Sequence, residues 1–165
     1  MLYPLEEINH IRHFLIENCE TLAIAESVTS GHLQAAFSLA DDALSFFQGG
    51  ITTYNLGQKC QHLHVDPIDA VKCDCVSDSV ARQMATGAAR LFISHYGIGI
   101  TGYAAKVPEK NINSLFAHFA ISHRGQILLS DKINAPYEEA LDVQIYYTRQ
   151  IIMALDGLLK KTGFK

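Results

Sequence analysis

The chain has 165 residues, of which 48% are hydrophobic and 18% charged, and its net charge is −4. This length and composition are typical of one globular domain that buries a core without disulfides or a structural metal. The negative charge argues against a nucleic-acid-binding surface, which needs clustered Lys and Arg. No apolar run reaches the length of a membrane span, about 18 residues. Because Glu6 and Glu7 stand where a secretory signal would carry basic residues, we expect a cytoplasmic protein.

Apolar residues recur at helical spacing in some segments and form short apolar or β-branched runs in others. Asp66 and Pro67 are expected to end the third helix, and residues 102–113, rich in turn-forming and charged residues, are expected to form a loop. In chain order the sequence predicts helix 5–18, strand 21–25, helix 32–39, strand 49–54, helices 55–64 and 78–94, strands 97–101, 115–122 and 126–133, and helix 137–160.

The order of these elements indicates the fold. Helices alternate with the first three strands, which predicts parallel strands between two layers of helices. The short turn at 123–125 joins the last two strands as a hairpin, so one strand must run antiparallel to the others. We therefore predict a single α/β domain over residues 1–165, a three-layer α/β/α sandwich with a mixed sheet of about five strands.

Polar side chains follow the first three predicted strands, where ligands bind in open α/β sheets. The segments are 26–31 after the first strand, 54–59 after the second and 101–102 after the third. The first segment also precedes a helix, and the free N–H groups of a helix N-terminus can bind a phosphate or an oxyanion.

These segments contain a serine and a lysine that could act together. A serine needs a base to attack a carbonyl carbon, and no Gly-x-Ser-x-Gly motif is present. A partly buried, neutral Lys59 could take the proton of Ser27, with Tyr54 relaying the proton or holding the amine. On spacing alone, a helix-capping Ser27 and a solvated Lys59 fit the pattern more readily.

Two cysteines and two histidines raise the question of a zinc site. Cys73 and Cys75 are separated by one residue, near His62 and His64. Zinc signatures space their cysteines by two or more residues and usually repeat the pair. The alternative is thiols beside surface histidines, and we expect no metal at the site.

Several longer segments resemble the CinA C-terminal domain family. Residues 25–31, Ala-Glu-Ser-Val-Thr-Ser-Gly, resemble its Ala-Glu-Ser-Cys-Thr-Gly-Gly motif, and residues 50–54 with Lys59 resemble its Gly-x-x-Thr-Tyr-x-x-x-x-Lys segment. Residues 75–81 and 84–88 are similar to its Ala-Val-Ser-Glu-x-Val-Ala and Met-Ala-x-Gly-Ala stretch. The order and spacing agree over roughly residues 5–160, and the first two motifs are specific in combination.

The resemblance implies a three-layer α/β/α sandwich and nicotinamide-nucleotide amidase activity, part of pyridine-nucleotide salvage. That activity hydrolyses nicotinamide mononucleotide to nicotinate mononucleotide and ammonia, without metal or cofactor. The resemblance implies that Ser27 is the nucleophile, Lys59 its base and Tyr54 a supporting hydroxyl, with Thr101 beside the site. The residues expected to contact substrate are Glu26, Thr29, Ser30, Gly31, Thr101, Gly102, Lys106 and Gln144.

The chain departs from the family pattern mainly where the nucleotide would bind. Val28 and Ser30 replace Cys and Gly, and residues 101–106, Thr-Gly-Tyr-Ala-Ala-Lys, replace Thr-Gly-Ile-Ala-Gly-Pro. Residues 111–114 replace Pro-Val-Gly-Thr, and Gln144 stands where we align an Arg. Lost glycines add Cβ bulk near a ligand, and a lost Arg removes a bidentate anion clamp.

Two hypotheses follow from these departures. Lys106 or Arg149 could replace the missing cation, which would leave an amidase with a small-molecule nucleotide substrate. Alternatively, the chain is a non-catalytic CinA-like nucleotide-binding module. The apolar, Tyr-containing last helix is compatible with a homodimer, although most apolar helix faces belong to a core.

Overall fold

The computed structural model describes residues 1–162. Two short 3₁₀ turns, Ala43–Ser45 and Pro108–Lys110, lie in connections between the regular elements. Those elements are, in chain order, α1 Leu5–Glu17, β1 Leu22–Glu26, α2 His32–Ser38, β2 Phe47–Thr52, α3 Leu56–Leu63, α4 Pro67–Lys72, α5 Asp78–Leu91, β3 Tyr96–Gly102, β4 Phe116–His123, β5 Gln126–Asn134 and α6 Ala140–Thr162.

The strands form one five-stranded sheet in the order β2-β1-β3-β4-β5. β1 pairs in parallel with both β2 and β3, while β4 pairs antiparallel with β3 and with β5. One strand therefore runs against the other four. This arrangement confirms the predicted mixed α/β sheet, and the parallel strands bring their carboxyl ends to a common edge.

Helices cover both faces of the sheet, and β1 shows why. Its side chains alternate between the two faces, as in any strand. Leu22 and Ile24 pack into a core with residues of α1, α2 and α6. Ala23 and Ala25 pack into a second core with residues of α3, α4 and α5. All four side chains are fully buried, which explains the continuous apolar run of this strand.

Two glycines in β3 allow α5 to lie close to the sheet. A Cβ on Gly97 would clash with the carbonyl oxygen of Ala85, and one on Gly99 with that of Ala81. The alternate residues, Ile98 and Ile100, point into the core on the opposite face. The Gly-Ile-Gly-Ile sequence therefore sets the position of α5, and the segment that precedes α5 lines the cleft described below.

Helix α4 was not predicted. Asp66 and Pro67 end the preceding segment, but they also begin α4: the Asp66 carboxylate accepts hydrogen bonds from the N–H groups of Ile68 and Asp69. Proline at the first helical position lacks an N–H that would be unpaired there anyway. The last helix begins at Ala140 instead of residue 137. Within residues 1–162, no helix is both long and apolar enough to cross a membrane.

Candidate active site

A cleft of about 540 Å³ lies at the carboxyl ends of the parallel strands. This is the edge at which open α/β sheets bind ligands, and the volume falls in the range of small-molecule sites, about 300–1,000 Å³. The cleft brings together several residues that the sequence singles out. They are Ser27, Tyr54, Lys59, Thr101, Gly102 and Gln144.

Ser27 and Lys59 are in direct contact. Ser27 immediately follows β1, and Lys59 lies in α3, whose first turn is fixed by the Asn55 side chain accepting from the Gln58 N–H. The Lys59 Nζ donates to Ser27 Oγ over 2.9 Å and to the Thr53 carbonyl oxygen over 2.7 Å. The sequence alone favoured a solvated Lys59, yet this side chain is 1% exposed.

The environment of Lys59 disfavours its charged form. Within residues 1–162 the amine makes no salt bridge to a carboxylate, so its burial is not offset by an ion pair. Burial lowers the pKa of Lys59, and the neighbouring thiols of Cys75 and Cys60 oppose this effect more weakly. A lysine with a lowered pKa has a larger neutral fraction, and only the neutral amine can accept a proton from serine.

Glu26 is not in the cleft. Its carboxylate is fully buried and accepts hydrogen bonds from the N–H groups of Gly31, Leu33 and Gln34, at 2.8–3.1 Å. The protein's own anion therefore occupies the N-terminus of α2, where the sequence suggested a phosphate or oxyanion. This position corrects the expectation that Glu26 and Gly31 contact substrate, because both are engaged in capping the helix.

Some backbone N–H groups of residues 28–31 make hydrogen bonds within the protein, and others do not. The Ser30 N–H donates to the Ser27 carbonyl oxygen, and the Ser30 side chain is exposed outside the cleft. Thr29 is fully buried and, unlike Lys59, does not line the cleft, so its side chain does not face substrate either. Within the described chain, the N–H groups of Val28 and Thr29 make no hydrogen bond. Of these two residues Val28 lines the cleft, so its amide is the candidate donor beside Ser27.

Tyr54, Thr101 and Gly102 line the cleft in different ways. Tyr54 is 69% exposed at its edge. Thr101 is buried, and its hydroxyl donates to the Cys75 carbonyl oxygen over 2.7 Å, which gives it a structural role. A Cβ on Gly102 would lie 2.6 Å from the Cα of Ala117, so glycine is needed there for the approach of β4.

The cations proposed to replace the missing Arg lie elsewhere. Lys106 forms a 2.9 Å ion pair with Glu138, and neither residue lines the cleft. Arg149 lines a separate groove on α6, together with Tyr137 and Met153. Neither cation therefore faces the Ser27–Lys59 pair, and the expectation that Lys106 contacts substrate is corrected by its position.

Sequence reasoning missed three residues of the cleft: Asp74, Tyr103 and Lys110. The Lys110 amine and the Tyr103 hydroxyl both donate to one oxygen of Asp74, at 2.7 and 3.2 Å. Tyr103 and Lys110 belong to the altered 102–113 loop, and this departure from the family pattern was the available signal. Asp74 has no sequence signal of its own beyond its position between Cys73 and Cys75.

The residues that the structure describes contain no cluster of side chains that would support the zinc hypothesis. Nowhere in residues 1–162 do three or more His, Cys, Asp or Glu side chains lie close enough to hold a metal ion. Cys73 donates its thiol to the Asp69 carbonyl oxygen, and His62 shares a hydrogen bond with Gln58. Two of the four candidate ligands are thus engaged with other groups.

Sequence comparison identifies relatives of this chain. A CinA-like protein from Picosynechococcus is 45% identical over 85 residues, covering 52% of this chain and 20% of that protein. A CinA-like protein from Synechocystis is 35% identical over 112 residues, covering 66% of this chain and 27% of that protein. The chain thus spans about a fifth to a quarter of the length of these curated relatives.

Structural comparison gives the same family over nearly the whole chain. A CinA superfamily protein from Klebsiella pneumoniae superposes with a TM-score of 0.88 at 26% identity, covering 95% of this chain and 98% of that one. A CinA superfamily protein from Escherichia coli gives 0.83 at 26% identity, covering 92% and 88%. The family model of the CinA C-terminal domain matches residues 6–144, and the chain therefore belongs to the CinA C-terminal domain family.

Proposed function

We propose that this chain is an amidohydrolase that converts nicotinamide mononucleotide to nicotinate mononucleotide and ammonia. The observation that carries the proposal is the 2.9 Å contact between Ser27 Oγ and the buried amine of Lys59. This contact places a nucleophile, the Ser27 hydroxyl, beside a base, the Lys59 amine, whose pKa is lowered. The substrate itself is suggested by the family resemblance.

The first half of the reaction acylates Ser27. Neutral Lys59 accepts the Ser27 proton as Oγ attacks the carboxamide carbon, giving a tetrahedral intermediate with a negative oxygen. The C–N bond then breaks, and Lys59 returns the proton to the departing nitrogen, which leaves as ammonia. The Lys59 amine can keep donating to the Thr53 carbonyl oxygen throughout, which holds it in line with Ser27.

The second half regenerates the serine. Water attacks the acyl-enzyme ester while neutral Lys59 accepts one of its protons, and the ester bond breaks to release the carboxylic acid. The proton on Lys59 returns to Ser27 Oγ. In balance, one amide and one water give one carboxylic acid and one ammonia.

The negative oxygen of each intermediate needs hydrogen-bond donors. The N–H group of Val28 follows Ser27 directly, makes no hydrogen bond within residues 1–162 and belongs to a residue that lines the cleft. Backbone donors held in place before the reaction stabilise such charge without reorganisation, and losing one typically costs about 3–4 kcal/mol of barrier. The N–H groups of Ser30 and Gly31 are engaged and Thr29 is fully buried, which leaves the Val28 N–H as the candidate oxyanion donor of this loop.

An ammonia-release assay tests the proposal, with nicotinamide mononucleotide, nicotinamide riboside and nicotinamide as substrates. We expect the fastest release from the mononucleotide. A protein that binds the mononucleotide in calorimetry but releases no ammonia would instead be a nucleotide-binding module. Release from free nicotinamide alone would contradict the proposed substrate while retaining the proposed chemistry.

A further inference from the structure

The cleft contains one ion pair that the proposed chemistry does not use. Lys110 Nζ lies 2.7 Å from Asp74 Oδ2, and both side chains line the cleft with about half of their surface exposed, 52% and 50%. The same oxygen of Asp74 accepts a hydrogen bond from the Tyr103 hydroxyl. The pair joins the segment before α5 to the Pro108–Lys110 turn, and both of these segments line the cleft.

Lys110 is the one exposed cation among the described residues that line this cleft. Of the described residues that line the cleft, only Lys59 and Lys110 are cationic. Lys59 is buried and its amine is hydrogen-bonded to Ser27. The neighbouring helix N-terminus cannot serve, because the Glu26 carboxylate already occupies it. A ligand phosphate in the cleft therefore has one cation to pair with.

We propose that Lys110 binds the phosphate of the mononucleotide and that Asp74 competes with the phosphate for Lys110. This inference rests on the proposed function and deepens it, since it names the residue that selects a phosphorylated substrate. Lys110 exchanges one oxygen partner for another when the nucleotide binds. The Tyr103 hydroxyl remains with the Asp74 carboxylate.

The exchange is energetically reasonable. Ion pairs between exposed side chains contribute little to stability, so separating Lys110 from Asp74 costs little. A phosphate monoester carries up to two negative charges at neutral pH and offers three acceptor oxygens, against one charge on Asp74. In the free protein the hydrogen bond with Asp74 raises the pKa of Lys110, so the lysine is charged before the nucleotide binds.

Binding to a Ser27→Ala protein tests the proposal without requiring turnover. The dissociation constants of nicotinamide mononucleotide and nicotinamide riboside are measured by calorimetry, with and without Lys110→Met. We expect Lys110→Met to reduce the preference for the mononucleotide about tenfold, the effect of one lost charged hydrogen bond. Lys110→Arg should retain the preference. Lys72→Met, which removes the same charge from an exposed position on α4, is the matched control.

The outcomes separate this inference from the proposed function. An unchanged preference in a folded Lys110→Met protein, checked by circular dichroism, would overturn the inference even if ammonia is released. A reduced preference would support it even if the wild-type protein proves inactive. Asp74→Asn tests the competition: we expect binding of the mononucleotide, and of ribose 5-phosphate, to become several-fold tighter. Weaker binding of ribose 5-phosphate would show that Asp74 does not compete with phosphate.

Discussion

The Thr101 hydroxyl donates to the carbonyl oxygen of Cys75 and so joins the end of β3 to the segment that precedes α5. Asp74 and Cys75 both have positive φ, 51° and 62°, a region that residues other than glycine rarely adopt. Backbone in this region persists only when its surroundings hold it there. Thr101 is thus part of what fixes the wall of the cleft that contains Asp74.

Thr101→Val should lower the free energy of unfolding by about 1–3 kcal/mol, because the carbonyl oxygen of Cys75 loses its donor. Thr101→Ser keeps a hydroxyl and should lose less. Urea denaturation of the two variants measures the difference. Equal stabilities would show that this hydrogen bond does not hold the segment.

Glu26→Ala should lower the free energy of unfolding by about 2 kcal/mol or more, since three N–H groups at the start of α2 lose their acceptor. Glu26→Gln keeps one oxygen acceptor and should fall between the wild-type protein and Glu26→Ala in thermal or chemical denaturation. A Glu26→Ala protein of wild-type stability with weakened nucleotide binding would return Glu26 to the substrate site.

Stability should depend on pH through Lys59. Because burial lowers its pKa below 10.5 in the folded state, the unfolded chain binds one more proton between the folded-state pKa and 10.5. The free energy of unfolding should therefore rise with pH across that window and be smallest below it. Lys59→Met should remove this contribution. A difference between the two proteins that is constant with pH would contradict the lowered pKa.

Gln144→Arg should lower KM for nicotinamide mononucleotide more than it changes kcat. Gln144 lines the cleft, and an Arg there adds a bidentate donor for the phosphate. Such a clamp binds the ground state and the transition state alike. Gln150→Arg, on the same helix but lining other grooves, controls for the added charge. An equal fall in KM for both variants would attribute the effect to net charge instead of contact.

The sequence predicted the sheet and the Ser27–Lys59 pair for a shared reason. Apolar periodicity places the strands, and the ends of parallel strands must meet at one edge, so residues that follow those strands lie together. The pattern could not show that Lys59 is buried, since an isolated lysine in a short amphipathic helix is usually solvated. The family motif, in contrast, singled out Lys59 as the base without saying whether it is buried.

Other features depend on contacts that no local pattern records. Asp66 and Pro67 end one segment and also begin α4. The sequence alone does not show which of these two roles the residues have. A helix N-terminus binds an anion, but whether that anion is Glu26 or a ligand is decided by the fold. Lys110 lies in a loop without periodicity, and its place in the cleft depends on Asp74, 36 residues away in sequence.

The most direct test of the central claim is the rate of ammonia release from nicotinamide mononucleotide by the wild-type, Ser27→Ala and Lys59→Ala proteins. If Ser27 is the nucleophile and Lys59 its base, each substitution should reduce kcat by roughly a thousandfold or more, and the double variant should lose little beyond either one. A Ser27→Ala protein that retains the wild-type rate would contradict the account.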